Sequence, residues 1–372
     1  MKGCFAMRKK LGLSAMAIVG LLEFSGGALA NVDSGEQQPA QVQMNQAIVQ
    51  QQVQGGSGAN NSGSGIPGIA SVDPALAPCV PDFQTQQYEQ GVACLMPIAQ
   101  QGNAAAESAL GTLYLSGIGV DQDMNKARSW ISKAAAQNYP EAENNLAAMY
   151  QAGLGGPKNT KKALDLYKKA ASQNYPQAMF NLGVLYMNGD GLAVKRDMNT
   201  AMDWIQQAAD TGYAPAQSTL GALYMNGVGT KQDYARAMVW YQKAAAQNYP
   251  EAMNAIGAFC QNGLGVPQDY GQAMQWYQKA AAQNYPLADN NIGYLYQQGL
   301  GVPQDYGQAM QWYQKAAQMN FATAEYNIGI LYMNGLGVPK DPATASSWFS
   351  KAAAHGSQQA AVMLQMMQDG ND

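Results

Sequence analysis

The stretch that decides the fold runs Ala288-Asp289-Asn290-Asn291-Ile292-Gly293-Tyr294-Leu295-Tyr296, followed by Gly299-Leu300-Gly301-Val302-Pro303 and Ala309-Met310-Gln311-Trp312-Tyr313-Gln314-Lys315-Ala316-Ala317. The phrase occurs seven times, and its register is set by the steps Leu110-Gly111, Leu146-Ala147, Leu182-Gly183, Leu220-Gly221, Ile256-Gly257, Ile292-Gly293 and Ile328-Gly329. These steps are 36 residues apart, except for one gap of 38 caused by two extra residues between Asp190 and Lys195. A fixed period of this size predicts a solenoid of stacked supersecondary units.

Each repeat contains two predicted helices. The first helix of repeat one places Ala106, Leu110 and Tyr114 on one helical face, and the second does the same with Ala127 and Trp130. The first of these positions holds a constant alanine in all seven repeats: Ala106, Ala142, Ala178, Ala216, Ala252, Ala288 and Ala324. The tryptophan column is Trp130, Trp204, Trp240, Trp276, Trp312 and Trp348, with Leu166 in the remaining repeat. We interpret this column as core and not as a ligand site.

Glycine and asparagine mark the helix ends. Gly-x-Gly motifs such as Gly263-Leu264-Gly265 close the first helix, and each second helix ends at a glycine or an asparagine. Both residue types tolerate the left-handed conformation that ends a helix. The glycines recur with the repeat and have no Lys-Ser/Thr after them, so they indicate turns and not phosphate loops.

The pattern Ala-x-x-x-Leu-Gly-x-Leu-Tyr, Gly-x-Gly-Val, Ala-x-x-Trp-x-x-Lys-Ala-Ala resembles the Sel-like repeat (SLR), a relative of the tetratricopeptide repeat. The resemblance covers residues 82–369. It implies an all-α fold, a right-handed α-α solenoid of seven helix-turn-helix repeats with capping helices at both ends. It also implies a protein-binding scaffold, since bacterial exported members are linked to envelope assembly, host interaction or cell-wall regulation.

Five segments follow from this pattern. We predict a signal peptide at residues 1–30, a disordered Gln/Gly/Ser-rich tether at 31–80 and an N-terminal capping helix at 81–102. Seven repeats occupy 103–356, and a C-terminal capping helix and tail occupy 357–372. The signal peptide has a charged start, an apolar stretch and a small-residue cleavage site, which predicts an exported protein, periplasmic or secreted. A retained N-terminal anchor is the alternative.

The net charge limits the kinds of partner, and the cysteines bear on the cellular compartment of the protein. The whole chain has a net charge of −4, and residues 1–30 carry +3, so the remainder carries −7. With no basic patch in the sequence, this charge argues against binding to nucleic acid or to an anionic membrane. Cys79 and Cys94 form either a disulfide or two isolated thiols, and Cys260 is predicted to be packed and inert.

The variable positions predict where a partner binds. Positions two, six and nine after the constant alanine share one helical face, which would line the concave groove of the solenoid. The predicted partner-binding residues are Phe180, Val184, Met187, Met225, Asn254, Asn290, Tyr294, Tyr326, Ile330 and Met333. Exposed aromatic residues and methionine among neutral polar residues suit peptide recognition. The alternative is that these side chains pack against the adjacent repeat.

Enzyme chemistry has little support. The single histidine is His355 at a helix end, and the sequence contains no zinc-ligand cluster, no Gly-x-Ser-x-Gly and no Ser-x-x-Lys. We therefore predict no catalytic, cofactor or metal site and no transmembrane span. The predicted function is an exported, non-enzymatic scaffold that binds a protein or peptide. The alternatives are a peptidoglycan- or glycan-binding or cell-wall-enzyme-regulating periplasmic protein, an effector in a host cell and a β-lactamase-like hydrolase.

Overall fold

The computed structural model describes residues 73–369, so the predicted signal peptide and the predicted tether before residue 73 lie outside the described residues. Within that range the chain contains a 3-10 helix at Pro74–Cys79 and 17 α-helices, and no strand. Two short elements come first, α1 (Val80–Gln84) and α2 (Tyr88–Gln100). They cover the segment predicted as the N-terminal capping helix. None of these helices is both long enough and apolar enough to cross a bilayer.

Seven helix pairs follow, one pair per repeat. The first helices, called A helices, are α3 (Ala104–Ser116), α5 (Pro140–Ala152), α7 (Pro176–Asn188), α9 (Ala214–Asn226), α11 (Pro250–Asn262), α13 (Pro286–Gln298) and α15 (Ala322–Asn334). The second helices, called B helices, are α4 (Met124–Ala136), α6 (Thr160–Ser172), α8 (Met198–Asp210), α10 (Tyr234–Ala245), α12 (Tyr270–Ala281), α14 (Tyr306–Ala317) and α16 (Pro342–Ala354). The last helix, α17 (Gln358–Asp369), lies where the C-terminal capping helix is predicted.

The described residues divide into two compact units, residues 73–231 and residues 232–369. Where both helices belong to the same unit, each A helix packs against the B helix that follows it, and each B helix packs against the next A helix. This succession of helix pairs confirms the predicted all-α solenoid. Its right-handedness stays a prediction.

Helix boundaries follow from local chemistry. A helices end at a glycine with positive φ, as at Gly263 with φ 67°. B helices begin at an aspartate or asparagine whose side chain accepts backbone N–H groups, as Asp269 Oδ1 does from Gln272 at 2.9 Å. The same cap occurs at Asp123, Asn159, Asp197, Asp233, Asp305 and Asp341. Each repeat therefore carries its own stop and start signals.

The tryptophans lie at the border of the core, which corrects the prediction that they form it. All six are half-buried. In five of them the lysine three residues later places its ammonium nitrogen 3.7–5.1 Å from the indole ring centroid. The rings therefore cover the outer side of the B-helix layer, and in these five repeats a lysine ammonium lies over the ring at the solvent boundary.

The centre of the core is the next residue along each B helix. This column is at most 3% exposed and contains Ile131, Tyr167, Ile205, Tyr241, Tyr277, Tyr313 and Phe349. In repeats one, three, five, six and seven it packs on the glycine of the paired A helix. A methyl group at Gly257 would lie 2.6 Å from the Tyr277 ring, and one at Gly293 would lie 2.7 Å from Tyr313. The Leu/Ile–Gly step thus makes room for an aromatic ring from the partner helix.

The N-terminal segment is ordered earlier than predicted. Residues 74–80, which the predicted tether included, are helical because Leu76 and Cys79 are buried. The structure joins Cys79 to Cys94 in a disulfide, with Cα atoms 5.6 Å apart. Cys260 is a buried free thiol, and burial raises its pKa. At the other end of the chain, α17 leaves Val362 and Met366 more than half exposed.

Candidate functional site

The A helices are buried on most of their circumference, and on α13 and α15 one stripe of polar and apolar side chains is accessible. In the second unit the stripe contains the residues three, six and ten positions after the constant alanine, a spacing that keeps side chains on one helical face. We call this surface the A-helix stripe, and it consists of Asn291, Tyr294 and Gln298 on α13 and Asn327, Ile330 and Asn334 on α15. Gln298 and Asn334 are exposed, and the other four are half-buried.

The ten residues predicted to bind a partner divide into two groups. Six are half-buried: Phe180, Val184, Tyr294, Tyr326, Ile330 and Met333. Four are buried, which corrects their placement on an open groove: Met187, Met225, Asn254 and Asn290. For Asn254 and Asn290 the physical reason is a hydrogen bond to the next A helix, since their Oδ1 atoms accept from Asn291 and Asn327.

Two of the half-buried residues have aromatic partners inside the fold. The Phe180 ring lies edge-on to Tyr213, with centroids 5.7 Å apart, and the Tyr326 ring lies 5.5 Å from Phe349. Tyr326 thus packs on α16 of its own repeat, and Phe180 packs on the residue that precedes α9. Polar substitution of Phe180 or Tyr326 would therefore cost packing as well as any contact with a partner.

Asparagine side chains join successive A helices. Asn291 Nδ2 donates to Asn254 Oδ1 at 2.9 Å, and Asn327 Nδ2 donates to Asn290 Oδ1 at 2.9 Å. The first unit has the same bridge, from Asn181 to Asn144 at 2.9 Å. In each bridge the asparagine at position three donates through its side-chain nitrogen, and its side-chain oxygen remains available as an acceptor. In the second unit these acceptors belong to the A-helix stripe.

The side chain at position nine hydrogen-bonds to a buried core residue and does not line a groove. Where a glutamine stands there, its side-chain oxygen accepts from the buried tyrosine of the same repeat: Tyr277 Oη donates to Gln261 at 2.8 Å and Tyr313 Oη to Gln297 at 2.6 Å. Buried hydroxyl groups require such a partner. The amide column at position ten, which the sequence reasoning missed, is anchored too, since Asn334 Nδ2 donates to the Ile330 carbonyl at 2.9 Å.

Buried carboxylates occupy the first turn of four A helices and pair with the end of the B helix in the same repeat. Glu107 accepts from Gln137 at 2.8 Å, and Asp289 lies 2.8 Å from the ammonium of Lys315. The other two pairs are Glu143 with Gln173 and Lys169, and Glu325 with His355. His355 is also the C-cap of α16. Among the described residues, no three His, Cys, Asp or Glu side chains are grouped as metal ligands.

The carboxyl group of Glu141, at the start of α5, is expected to make the stability of the protein depend on pH. Glu141 is half-buried, with Oε2 3.5 Å from the Tyr139 hydroxyl, and burial raises its pKa from 4.5 to about 7. Since the folded protein holds this proton more tightly than the unfolded chain does, the group contributes its full stability below pH 4.5 and loses it as the pH rises through about 7. The free energy of unfolding of Glu141→Gln is therefore expected to exceed that of wild type by about 1–3 kcal/mol at pH 8 and to equal it at pH 4.

Urea unfolding of wild type and Glu141→Gln between pH 4 and pH 8 measures this difference. Glu89→Gln, at an exposed carboxylate in α2, is the control and should leave the pH profile unchanged. Parallel profiles for wild type and Glu141→Gln would contradict the assignment of the pH dependence to this carboxyl group.

Comparison with known proteins gives one family. The family model described as Sel1 repeat matches seven times, at residues 104–139, 140–175, 176–213, 214–249, 250–285, 286–321 and 322–357. The chain is similar to the crystal structure of a Sel1 repeat protein from Oxalobacter formigenes, with 31% identity and a TM-score of 0.59 over 66% of this chain and 96% of that one. It is also similar to c5321, a protective antigen present in uropathogenic Escherichia coli strains that displays an SLR fold, with 28% identity and a TM-score of 0.58 over 87% of this chain and 67% of that one. No curated protein matches the chain.

Proposed function

Because this chain belongs to the Sel1 repeat family, whose solenoids are generally protein-interaction scaffolds, we propose that it is an exported, non-enzymatic scaffold that binds an extended peptide segment of a partner protein on the A-helix stripe. The observation that carries the proposal is the composition of that stripe. Tyr294 and Ile330 occupy the same position in successive repeats, and side-chain amides border both.

The A-helix stripe offers two kinds of contact. Tyr294 and Ile330 supply apolar area at neighbouring repeats, and tyrosine is among the residues enriched in binding hot spots. Asn291 and Asn327 present carbonyl oxygens, one per repeat, that accept from backbone N–H groups of an extended chain. Their bridging hydrogen bonds hold these amides in place before binding, which lowers the entropic cost of association. None of the six residues of the stripe is charged, so the surface favours a neutral or weakly charged peptide.

Export belongs to the proposal and has two supports. The first 30 residues have the charged, apolar and small-residue order of a signal peptide. The Cys79–Cys94 disulfide suits an oxidising compartment, such as the periplasm or the extracellular space. A role in envelope assembly or in host interaction follows from this location.

The test is affinity capture from a cell-envelope extract, read by mass spectrometry, with the wild-type chain beside Tyr294→Ser/Ile330→Ser. We expect the double variant to lose at least one protein that the wild-type chain retains, with its affinity lowered about tenfold or more, because two apolar anchors are removed. The bound segment is then mapped with overlapping synthetic peptides of the captured protein.

The matched control is Val239→Ser/Val362→Ser, which removes two exposed aliphatic residues of the same unit outside the A-helix stripe. It should retain the captured protein. Identical captured sets from the wild-type chain and from Tyr294→Ser/Ile330→Ser would refute the proposed surface. Retention on isolated peptidoglycan, with no protein captured, would favour the glycan-binding alternative.

A further inference from the structure

The loop between α7 and α8 differs from the other six A–B loops. It contains the two extra residues of the 38-residue repeat, and Leu192 at its tip is 97% exposed. In the other repeats an aliphatic residue directly follows the glycine that ends the A helix and is at least partly buried, as Leu154 and Leu264 are. In this loop Asp190 takes that position and Val194, which is 2% exposed, is buried instead. The insertion therefore turns one large apolar side chain out into solvent.

The tip is braced. Asp190 Oδ1 accepts from the backbone N–H groups of Leu192, Ala193 and Val194 at 3.1, 2.7 and 2.7 Å. The Asp190 backbone N–H donates to the Val194 carbonyl at 2.9 Å, and the buried Val194 side chain anchors the far end of the loop. A loop closed in this way presents Leu192 in a fixed position, so little ordering entropy is lost when that side chain is buried by a partner.

Cations surround the tip. The A–B loop of one repeat packs on the first turn of the preceding B helix, as Gly155 does on Met124 and Gly229 does on Met198. The same stacking places Asp190 beside Thr160, the first residue of α6, so the loops of repeats two and three lie side by side. Within two residues of Thr160 or of Val194 lie Lys158, Lys161, Lys162, Lys195 and Arg196, and all five are exposed. The nearby carboxylates of Asp190 and Asp197 accept hydrogen bonds within their own loop or helix cap and stay ionised, so the five cations outnumber them and the net charge here is positive. We call the five cations and Leu192 the basic tip.

We propose that the basic tip docks the protein on an anionic lipid bilayer, with Leu192 entering the boundary between headgroups and acyl chains and the five cations contacting the headgroups. The charge of the basic tip is complementary to such a surface, and each lysine or arginine near an anionic membrane increases binding about fivefold. A single fully exposed leucine fits an acyl layer better than a protein interface, because leucine is under-represented among protein–protein hot spots. The long lysine side chains keep their charge at headgroup level while the tip enters the bilayer.

The test is sedimentation of the full chain with vesicles of phosphatidylglycerol and phosphatidylcholine in a 1:3 ratio, about 25% anionic, beside vesicles of phosphatidylcholine alone. Residues 1–30 are the same in every variant, so differences between variants report on the basic tip. We expect Leu192→Asp to lower the partition coefficient about tenfold and Lys158→Gln/Lys195→Gln to lower it about 25-fold. Raising the ionic strength should weaken wild-type binding to the anionic vesicles.

Two matched controls separate the basic tip from the rest of the surface. Val239→Asp places the same charge at an exposed aliphatic residue of the second unit, and Lys279→Gln/Lys340→Gln removes the same charge from two exposed lysines there. Both should bind as wild type does. Equal loss in the control pair and the Lys158/Lys195 pair, wild-type binding by Leu192→Asp, or equal binding to both vesicle types would overturn the proposal. So would retention on a polyglutamate resin without vesicle binding, which would assign the basic tip to an acidic protein.

Discussion

Replacing Tyr277 with alanine is expected to lower the free energy of unfolding by about 3–5 kcal/mol, the range found when large buried aromatic residues are truncated. The Tyr277 side chain is 1% exposed, and its ring rests on Gly257 of the paired A helix. Its hydroxyl donates to Gln261 at 2.8 Å, so the substitution also leaves a buried acceptor unpaired. Trp276→Ala, at the half-buried neighbour, is expected to cost about half as much because less apolar area is buried there.

Urea unfolding together with hydrogen exchange measures this difference. A solenoid is stabilised repeat by repeat, so the loss of protection should be largest in α11 and α12. Tyr277→Phe is the matched control: it keeps the ring and loses one hydrogen bond, and its cost should be about 1–2 kcal/mol. If Trp276→Ala proved as costly as Tyr277→Ala, the core would be centred on the tryptophans and our assignment would be wrong.

The repeat register could be read from the sequence, but the centre of the core could not. Trp276 and Tyr277 are adjacent, both large and aromatic, and both recur with the repeat, so periodicity alone ranks the larger one first. They point about 100° apart around a helix, and only one of them faces the paired A helix. The glycine column was the usable signal, because a glycine that recurs within a helix in six of seven repeats indicates that a large side chain from elsewhere packs on it.

The exposed face of the A helices could be predicted from the sequence only in part. An A helix that is buried on most sides has a weak apolar periodicity, so the sequence does not distinguish position two from position three. The structure leaves Tyr294 and Ile330 half-buried, whereas Asn254 and Asn290 are buried in bridges to the next repeat. The bridging role depends on pairs 37 residues apart, and no single repeat reveals it.

The basic tip was missed because its cations are far apart in the chain. Lys158 and Lys195 belong to different repeats, and neither segment alone is a basic run long enough to stand out in a chain with a negative net charge. The solenoid packs each A–B loop on the start of the preceding B helix, as Gly229 packs on Met198, and this stacking brings the two segments together. Local charge on a repeat protein therefore has to be read across repeats, at the period of the fold.

Removing the disulfide with Cys79→Ala/Cys94→Ala is expected to destabilise the N-terminal segment by about 3 kcal/mol, the effect of releasing a closed loop of about 15 residues. The segment has little else to hold it, since residues 74–84 bury only Leu76, Cys79 and Phe83. Hydrogen exchange in α1 and α2 is the measurement, and protection should fall there while α11 to α17 keep theirs.

Reducing agent supplies the internal control for this prediction. It should lower protection of α1 and α2 in the wild-type chain to the level of the double variant, and it should leave the variant unchanged, because the remaining buried thiol, Cys260, takes part in no disulfide. Cys260→Ala should behave as wild type in α1 and α2. If the double variant kept wild-type protection there, packing of Phe83 on Gly91 and burial of Leu76 would suffice to hold the segment, and the disulfide would add nothing to its stability.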